Sequence, residues 1–258
     1  GSGAGGPQYT SGLAGFEGVV DRDQGIRYSA MWGRRSTHVL AIRTDGGKVL
    51  RARPLQGHLG IPLVAYDGTT GGLSGDGKRL ALASYAPVPR AGDSTRFVVV
   101  DTKSLRVRRQ AVLDGSWSFD AIAPDGSTLY LTQHLRAGKH PVYRVRTYDV
   151  STGILRGALV DRLEGERDMG GEPIRRASSA DGRWAYTLYA RRGHEPFVHA
   201  LDTVRREAFC VDLPVDVGYG YRWLLTLKLY ERGRLLVVRR GRVTLATVRT
   251  DSWKVEKA

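Results

Sequence analysis

The stretch LSGDGKRLALASY at 73–85 recurs as IAPDGSTLYLTQ at 122–133, SSADGRWAYTLY at 178–189 and LYERGRLLVV at 229–238. A chain that writes one phrase four times folds into an array of like units. Each copy has a short apolar segment, a tight turn carrying Asp-Gly or Arg-Gly, and an alternating or wholly apolar run. Gly admits the positive φ that a two-strand hairpin turn requires, so Gly77, Gly126, Gly182 and Gly233 mark hairpins. A second phrase follows each first one and has one further copy ahead of them: IRTDGGKV at 42–49, VDTKSLRV at 100–107, YDVSTGIL at 148–155, LDTVRREA at 201–208 and VRTDSWKV at 248–255. Its five copies start 58, 48, 53 and 47 residues apart.

Two hairpins per repeat make a four-stranded antiparallel unit, and repeats of this length are the mark of a β-propeller blade. The expected fold is all-β, a five-bladed propeller of four-stranded antiparallel blades at 16–57, 63–114, 117–163, 173–214 and 219–258. No segment carries the period of a long amphipathic helix. FEGVV at 16–20 is expected to be the inner strand of the first blade or to pair with the last blade and close the ring. Residues 1–14, starting GSGAGGPQYTSG, are expected to be a flexible segment ahead of one propeller domain at 15–258.

The pairs SGDGKRLAL with FVVVDTKSLRV, and APDGSTLYL with YRVRTYDVSTGIL, resemble the bacterial YVTN/YncE-type propeller repeats, a WD40-like group. The resemblance covers the second to fourth blades best. It implies a binding or scaffolding protein that is exported or attached to the cell surface.

The 258 residues carry a net charge of +14, with 33 Arg, 7 Lys and no Asn, a bias expected of a GC-rich genome. Such a charge attracts polyanions, whether nucleic acid, anionic lipid or wall polymer. No apolar run approaches the roughly 18 residues a membrane-spanning helix needs. Cys210 is the only cysteine, which excludes an internal disulfide framework and cysteine-based zinc clusters; it is read as a small packed side chain.

Propeller topology sorts loops by face. With strands a to d running outward from the axis, the b–c loops share a face with the blade-to-blade connections. The b–c loops, at 33–36, 87–94, 136–141, 191–196 and 239–242, carry Arg34, Arg35, Arg90, Arg136, Lys139, Arg191, Arg192, Arg239, Arg240 and Arg242 against Asp93 and Glu195. They are expected to form a basic rim, with Arg34, Arg35, Arg136, Lys139, Arg191, Arg192, Arg239 and Arg240 as its ligand-binding residues. The connections at 66–72, 114–120, 165–173 and 216–221 carry acids and aromatics, so Asp67, Trp117, Asp120, Asp168, Tyr219 and Tyr221 are expected at the channel mouth, a place suited to sugars or cations.

Other motifs carry less. GSGAGG fits G-x-G-x-x-G but follows no strand, and Gly72-Leu73-Ser74-Gly75 misses the nucleophile-elbow spacing. His199 lies mid-strand and reads as a packed core residue, while His140 and His194 sit in b–c loops of adjacent blades with no third metal ligand. Asp76, Asp125, Asp181, Asp101, Asp149 and Asp202 read as turn builders. No catalytic residue, metal or cofactor is assigned. The expected function is a non-catalytic binding or scaffolding propeller, outside the cytoplasm, whose b–c face takes a protein partner or an anionic polymer. Nucleic-acid binding at the rim and a glycan-active enzyme using mouth carboxylates are the alternatives.

Overall fold

The repeat turns at 73–85, 122–133 and 178–189 are each held by an aspartate that caps the amides the bend leaves unpaired. In the computed structural model, which describes residues 13–14, 18–84, 93–136, 138 and 140–257, Asp76 Oδ1 accepts from Lys78 N at 3.0 Å and from Ser74 Oγ at 2.7 Å. Asp181 does the same for Arg183 N at 3.0 Å and Ser179 Oγ at 2.5 Å, and Asp125 takes Ser127 N at 2.9 Å. The second phrase closes alike: Asp101, Asp149 and Asp202 accept from Ser104 N, Thr152 N and Arg205 N at 2.9, 2.8 and 2.9 Å. The expectations for residues 1–12, 16–17, Arg90 and Lys139 fall outside the described residues.

These turns join strands into five antiparallel blades of four strands in simple sequence order, and Leu13–Ala14 adds a fifth strand to one of them by pairing with Ile61 and Pro62, so the segment expected to be flexible ahead of the propeller ends in a strand. Blade 1 holds Val19–Asp21, Ile26–Trp32, Ser36–Arg43 and Val49–Gln56. Blade 2 holds Leu59–Pro62, Arg79–Ser84, Ser94–Asp101 and Val107–Asp114, and blade 3 Trp117–Ile122, Thr128–Arg136, Val142–Asp149 and Leu155–Ala158. Blade 4 holds Glu172–Ser178, Trp184–Ala190, Phe197–Asp202 and Glu207–Asp212, and blade 5 Leu225–Tyr230, Leu235–Arg240, Val243–Arg249 and Val255–Lys257. The only helical turns among the described residues are the short 3-10 segments Tyr219–Leu224 and Glu231–Gly233.

Burial follows from stacking. A central strand such as Phe197–Asp202 is covered on both faces and is buried throughout, whereas the outer strand Val49–Gln56 alternates. This is why inner and middle strands read as continuous apolar runs. Successive blades share hydrophobic clusters: Tyr28, Val39 and Ala41 pack on Ile61, Leu80 and Leu82 between blades 1 and 2, and Leu188, Val198 and Ala200 on Leu225, Leu236 and Val248 between blades 4 and 5. Among the described residues, no hydrogen bond, ion pair or shared hydrophobic cluster joins blade 5 to blade 1.

Of the two expectations for FEGVV the first holds: Val19–Asp21 pairs with Ile26–Tyr28 as the inner strand of blade 1. Blade 2 departs from the sequence reading. The inner strand of blade 2 begins at Leu59, not at 63, and is then interrupted. Residues 63–71 leave the sheet as a small loop closed by Val64 N to Thr69 O at 2.9 Å, and Gly72 rejoins it by accepting from Ala81 N at 2.7 Å. Asp67 therefore sits on an excursion from an inner strand, not on a blade-to-blade connection. The excursion reaches across to blade 4, where Tyr66 N donates to Pro173 O at 2.8 Å.

At the opposite end the repeat turns of blades 2, 3 and 4 meet. Asp76 N donates to Pro124 O at 2.8 Å, and a Cβ on Gly75 would stand 2.7 Å from Asp181 O and 3.2 Å from the Pro124 backbone. Glycine is needed at 75 for this close approach. Gly75→Ala is expected to lower stability by about 1–3 kcal/mol through overpacking, while Gly157→Ala, with nothing near its Cβ, should shift it by no more than about 0.5 kcal/mol. Thermal melts of the two variants check this, and equal melting temperatures would refute the pinch.

Candidate ligand-binding groove

The b–c loops and connections over blades 3 to 5 leave a groove made of three cavities with shared walls. The largest, about 750 Å³, lies between the 191–196 loop and the connection to blade 5, and is lined by Arg191, His194, Glu195, Asp212, Asp216 and Tyr219. The second, about 270 Å³, adds Arg136, His140, Asp168, Glu172 and Arg192. The third, about 180 Å³, runs under the 159–170 connection toward His199 and Cys210. Arg191 borders all three.

Pairing sorts the charges along this groove. Arg191 binds Asp212 at 2.5 Å, donates to Glu195 O at 2.9 Å and covers the Phe197 ring at 4.9 Å. Arg144 binds Asp168 at 2.8 Å. Arg222 binds the buried Glu172 at 2.7 Å. Tyr219 lies between two guanidiniums, Arg222 at 3.8 Å and Arg192 at 4.5 Å from its ring centre; burial and the neighbouring Glu172 push its phenol upward. Such cation–π contacts fix the plane of a guanidinium. Arg192 and Arg136 are exposed and hold no carboxylate among the described residues. Arg136 donates to His140 O at 3.1 Å.

The expected rim is thus gathered in part. Arg136, Arg191 and Arg192 meet in the groove. Arg34, Arg35, Arg239 and Arg240 line none of these cavities: Arg34 and Arg35 are exposed on blade 1, Arg239 donates to Thr244 Oγ1 at 3.2 Å, and Arg240 is exposed. The expected mouth residues also separate. Tyr219 lines the groove, Asp168 stands at its edge, and Tyr221 is 61% exposed. Trp117 is buried between blades 2 and 3 with its Nε1 donating to Asp114 O at 2.9 Å. Asp120 is buried between blades 3 and 4 in an ion pair with Arg176. Asp67 lies 4.0 Å from Arg175.

The sequence reading named Asp120 but missed its burial and its partner Arg176 beneath the mouth. Asp120 and Arg176 each leave 4% of the side chain exposed, and Asp120 Oδ2 and Arg176 Nε have no hydrogen-bond partner. The Arg175-Arg176 doublet on an inner strand was the available signal. Nearby, burial lowers the His134 pKa to about 4, and its Nε2 lies 3.0 Å from Ser118 Oγ. Among the described residues no three His, Cys, Asp or Glu side chains are grouped to hold a metal ion, and no helix is long and apolar enough to cross a membrane.

No family model matches the chain, and no curated protein matches it, so the YVTN/YncE-type likeness stands on the repeat phrases alone. Solved structures do match the fold. Acylaminoacyl peptidase from Pyrococcus horikoshii aligns with a TM-score of 0.53 at 12% identity, over 93% of this chain and 38% of that one. An acylaminoacyl peptidase in complex with Z-Gly-Gly-Phe-chloromethyl ketone gives 0.52 at 11% identity, over 93% and 38%. TolB from Acinetobacter baumannii gives 0.46 at 16% identity, over 90% and 51%. The chain spans about half or less of each of these structures. What the two peptidase alignments show is a shared fold alone.

Two outcomes test the site's electrostatics. Arg176→Met strands a buried carboxylate at Asp120 and should cost about 3–5 kcal/mol, whereas adding Asp120→Asn should restore part of that loss; a double variant no better than the single would contradict the pairing. His134, held near pKa 4 against 6.5 for the free side chain, binds its proton later in the folded than in the unfolded chain. Its contribution is complete above pH 6.5 and drains away as pH falls toward 4. His134→Gln should flatten the decline of melting temperature over that interval, and an unchanged slope would refute it.

Proposed function

We propose that this protein is a non-catalytic binding module, and that the groove over blades 3 to 5 takes an anionic group carried by a partner protein or polymer. The observation that carries the reading is the pairing state of the groove's cations. Arg144, Arg191 and Arg222 are neutralised by Asp168, Asp212 and Glu172, while Arg136 and Arg192 keep their charge for a ligand. Arg192 is oriented by Tyr219 at no expense of N–H donors, and a fixed guanidinium suits carboxylate, phosphate or sulfate. His140 and His194 line the same cavity. The overall charge of +14 raises the encounter rate with polyanions. Work outside the cytoplasm, secreted or surface-tethered, fits this reading and the likeness to YVTN/YncE-type repeats. A glycan-active enzyme would need a free acid and base, and the candidates Asp120 and Asp168 are each engaged by an arginine.

Inorganic polyphosphate and heparin are suitable probes. Arg136→Ser with Arg192→Ser should weaken polyphosphate binding by about tenfold per arginine and lower the salt needed for elution from heparin, without moving the melting temperature. Arg22→Ser with Arg106→Ser removes equal charge from exposed turns on the opposite face and should have a much smaller effect. Equal losses from the two pairs would refute the groove and leave only diffuse electrostatics; a preference for base sequence would identify the polymer as nucleic acid.

A further inference from the structure

The junction of blades 3 and 4 is crossed by polar side chains. Strand register sets Arg176 beside Thr187, Thr187 beside His199 and His199 beside Cys210, so the four form a row across blade 4 from its inner to its outer strand. At its outer end the row meets the 180 Å³ cavity, which His199, Cys210 and Met169 line together. Met169 belongs to the connection between the blades. It is fixed by two backbone bonds with Tyr143, at 2.7 and 3.0 Å, and its Sδ lies 3.8 Å from Cys210 Sγ. His199 is 1% exposed, and its Nδ1 has no hydrogen-bond partner.

We propose that Cys210, Met169 and His199 form a binding site for a soft monovalent metal ion, Cu(I), held by thiolate, thioether and imidazole. Thiolate and thioether donors select Cu(I) over harder ions. With metal–sulfur bonds of about 2.3 Å, two sulfurs at a trigonal angle stand roughly 4 Å apart, close to the 3.8 Å found. The sulfur pair is therefore already spaced for one ion. An unpaired buried imidazole is costly unless it gains a partner, and a metal supplies one. Zn(II) lacks a set of ligands here, because among the described residues no third His, Cys, Asp or Glu joins the group.

Charge points the same way. With Asp168 and Asp212 paired to Arg144 and Arg191, the cavity wall keeps Asp161, Glu164 and Glu166 against Arg167, a field that draws in a cation. Burial first, and then Asp161, Glu164 and Asp212, push the Cys210 thiol upward, so the metal-free side chain stays protonated. On binding, Cu(I) replaces the thiol proton, which leaves to solvent. The net charge of the site and the oxidation state of copper are unchanged, and the buried thiolate–Cu(I) pair is neutral.

The chain has one Cys and two Met, which keeps background soft-metal binding low. Anaerobic titration against the Cu(I) chelator bathocuproine disulfonate should show one equivalent withdrawn per chain, with affinity rising about tenfold per pH unit as one proton is released. Cys210→Ser should abolish uptake, and Met169→Leu, a swap that conserves volume, should weaken it at least tenfold. Uptake retained by Cys210→Ser, no uptake by the parent chain, or a Met169→Leu variant of parent affinity would each overturn the site. Circular dichroism confirms that the variants fold, and if Cys210→Ser does not, the Met169→Leu result decides.

Discussion

A blade is a sheet with two faces, and both need cover. Only the next blade can provide it, so everything in this molecule depends on how neighbouring blades hold together. Apolar packing does most of this, but arginine secures each described junction. Arg53 reaches Ser104 O and Arg96 reaches Gln56 O between blades 1 and 2. Arg109 spans blades 2 and 3 to Val150 O and Ser151 O. Arg176 and Arg206 tie blade 4 to Asp120 and Thr128 of blade 3. Arg175 and Arg222 join blades 4 and 5 through Trp223 O and Glu172. The guanidinium fork suits the task, since it bonds backbone carbonyls at strand ends while its stem covers apolar surface. Part of the arginine excess is therefore internal stitching.

This separates two kinds of positive charge. An arginine that holds a carbonyl or carboxylate of the next blade is part of the fold. One that is exposed and paired with nothing acidic is available to a ligand. By that criterion the groove's charge narrows to Arg136 and Arg192, with Tyr219 setting the orientation of the second, and to Arg167 on the wall of the cavity under the 159–170 connection. The acids once grouped with the channel mouth divide the same way. Asp120 and Asp168 each hold an arginine, and Asp67 lies near Arg175 on the excursion at 63–71, which reaches over from blade 2 to Pro173.

The blades were legible in the sequence because their turns are local chemistry: Asp76 bonds Lys78 two residues on, and Asp181 bonds Arg183. Strand alternation and the face occupied by each loop follow from the same short-range code. What stayed hidden depends on long separations. Asp120 and Arg176 are 56 residues apart, and Cys210 and Met169 are 41 apart. The four-residue strand Leu59–Pro62 pairs with residues more than 20 positions away and carries too little pattern to announce itself. Loop positions alone placed Arg34 and Arg191 on one rim, yet only the side-chain pairing distinguishes an arginine in an ion pair from one that is free.

The central claim is spatial, that anionic ligands dock over blades 3 to 5 and not across the whole basic surface. Hydrogen exchange with and without inorganic polyphosphate reads this directly. The account predicts slowed exchange in the b–c loop of blade 4 and in the connection that carries Tyr219, with the c–d turns near Arg106 and Arg205 unchanged. Protection spread evenly over both faces, or confined to those c–d turns, would contradict it.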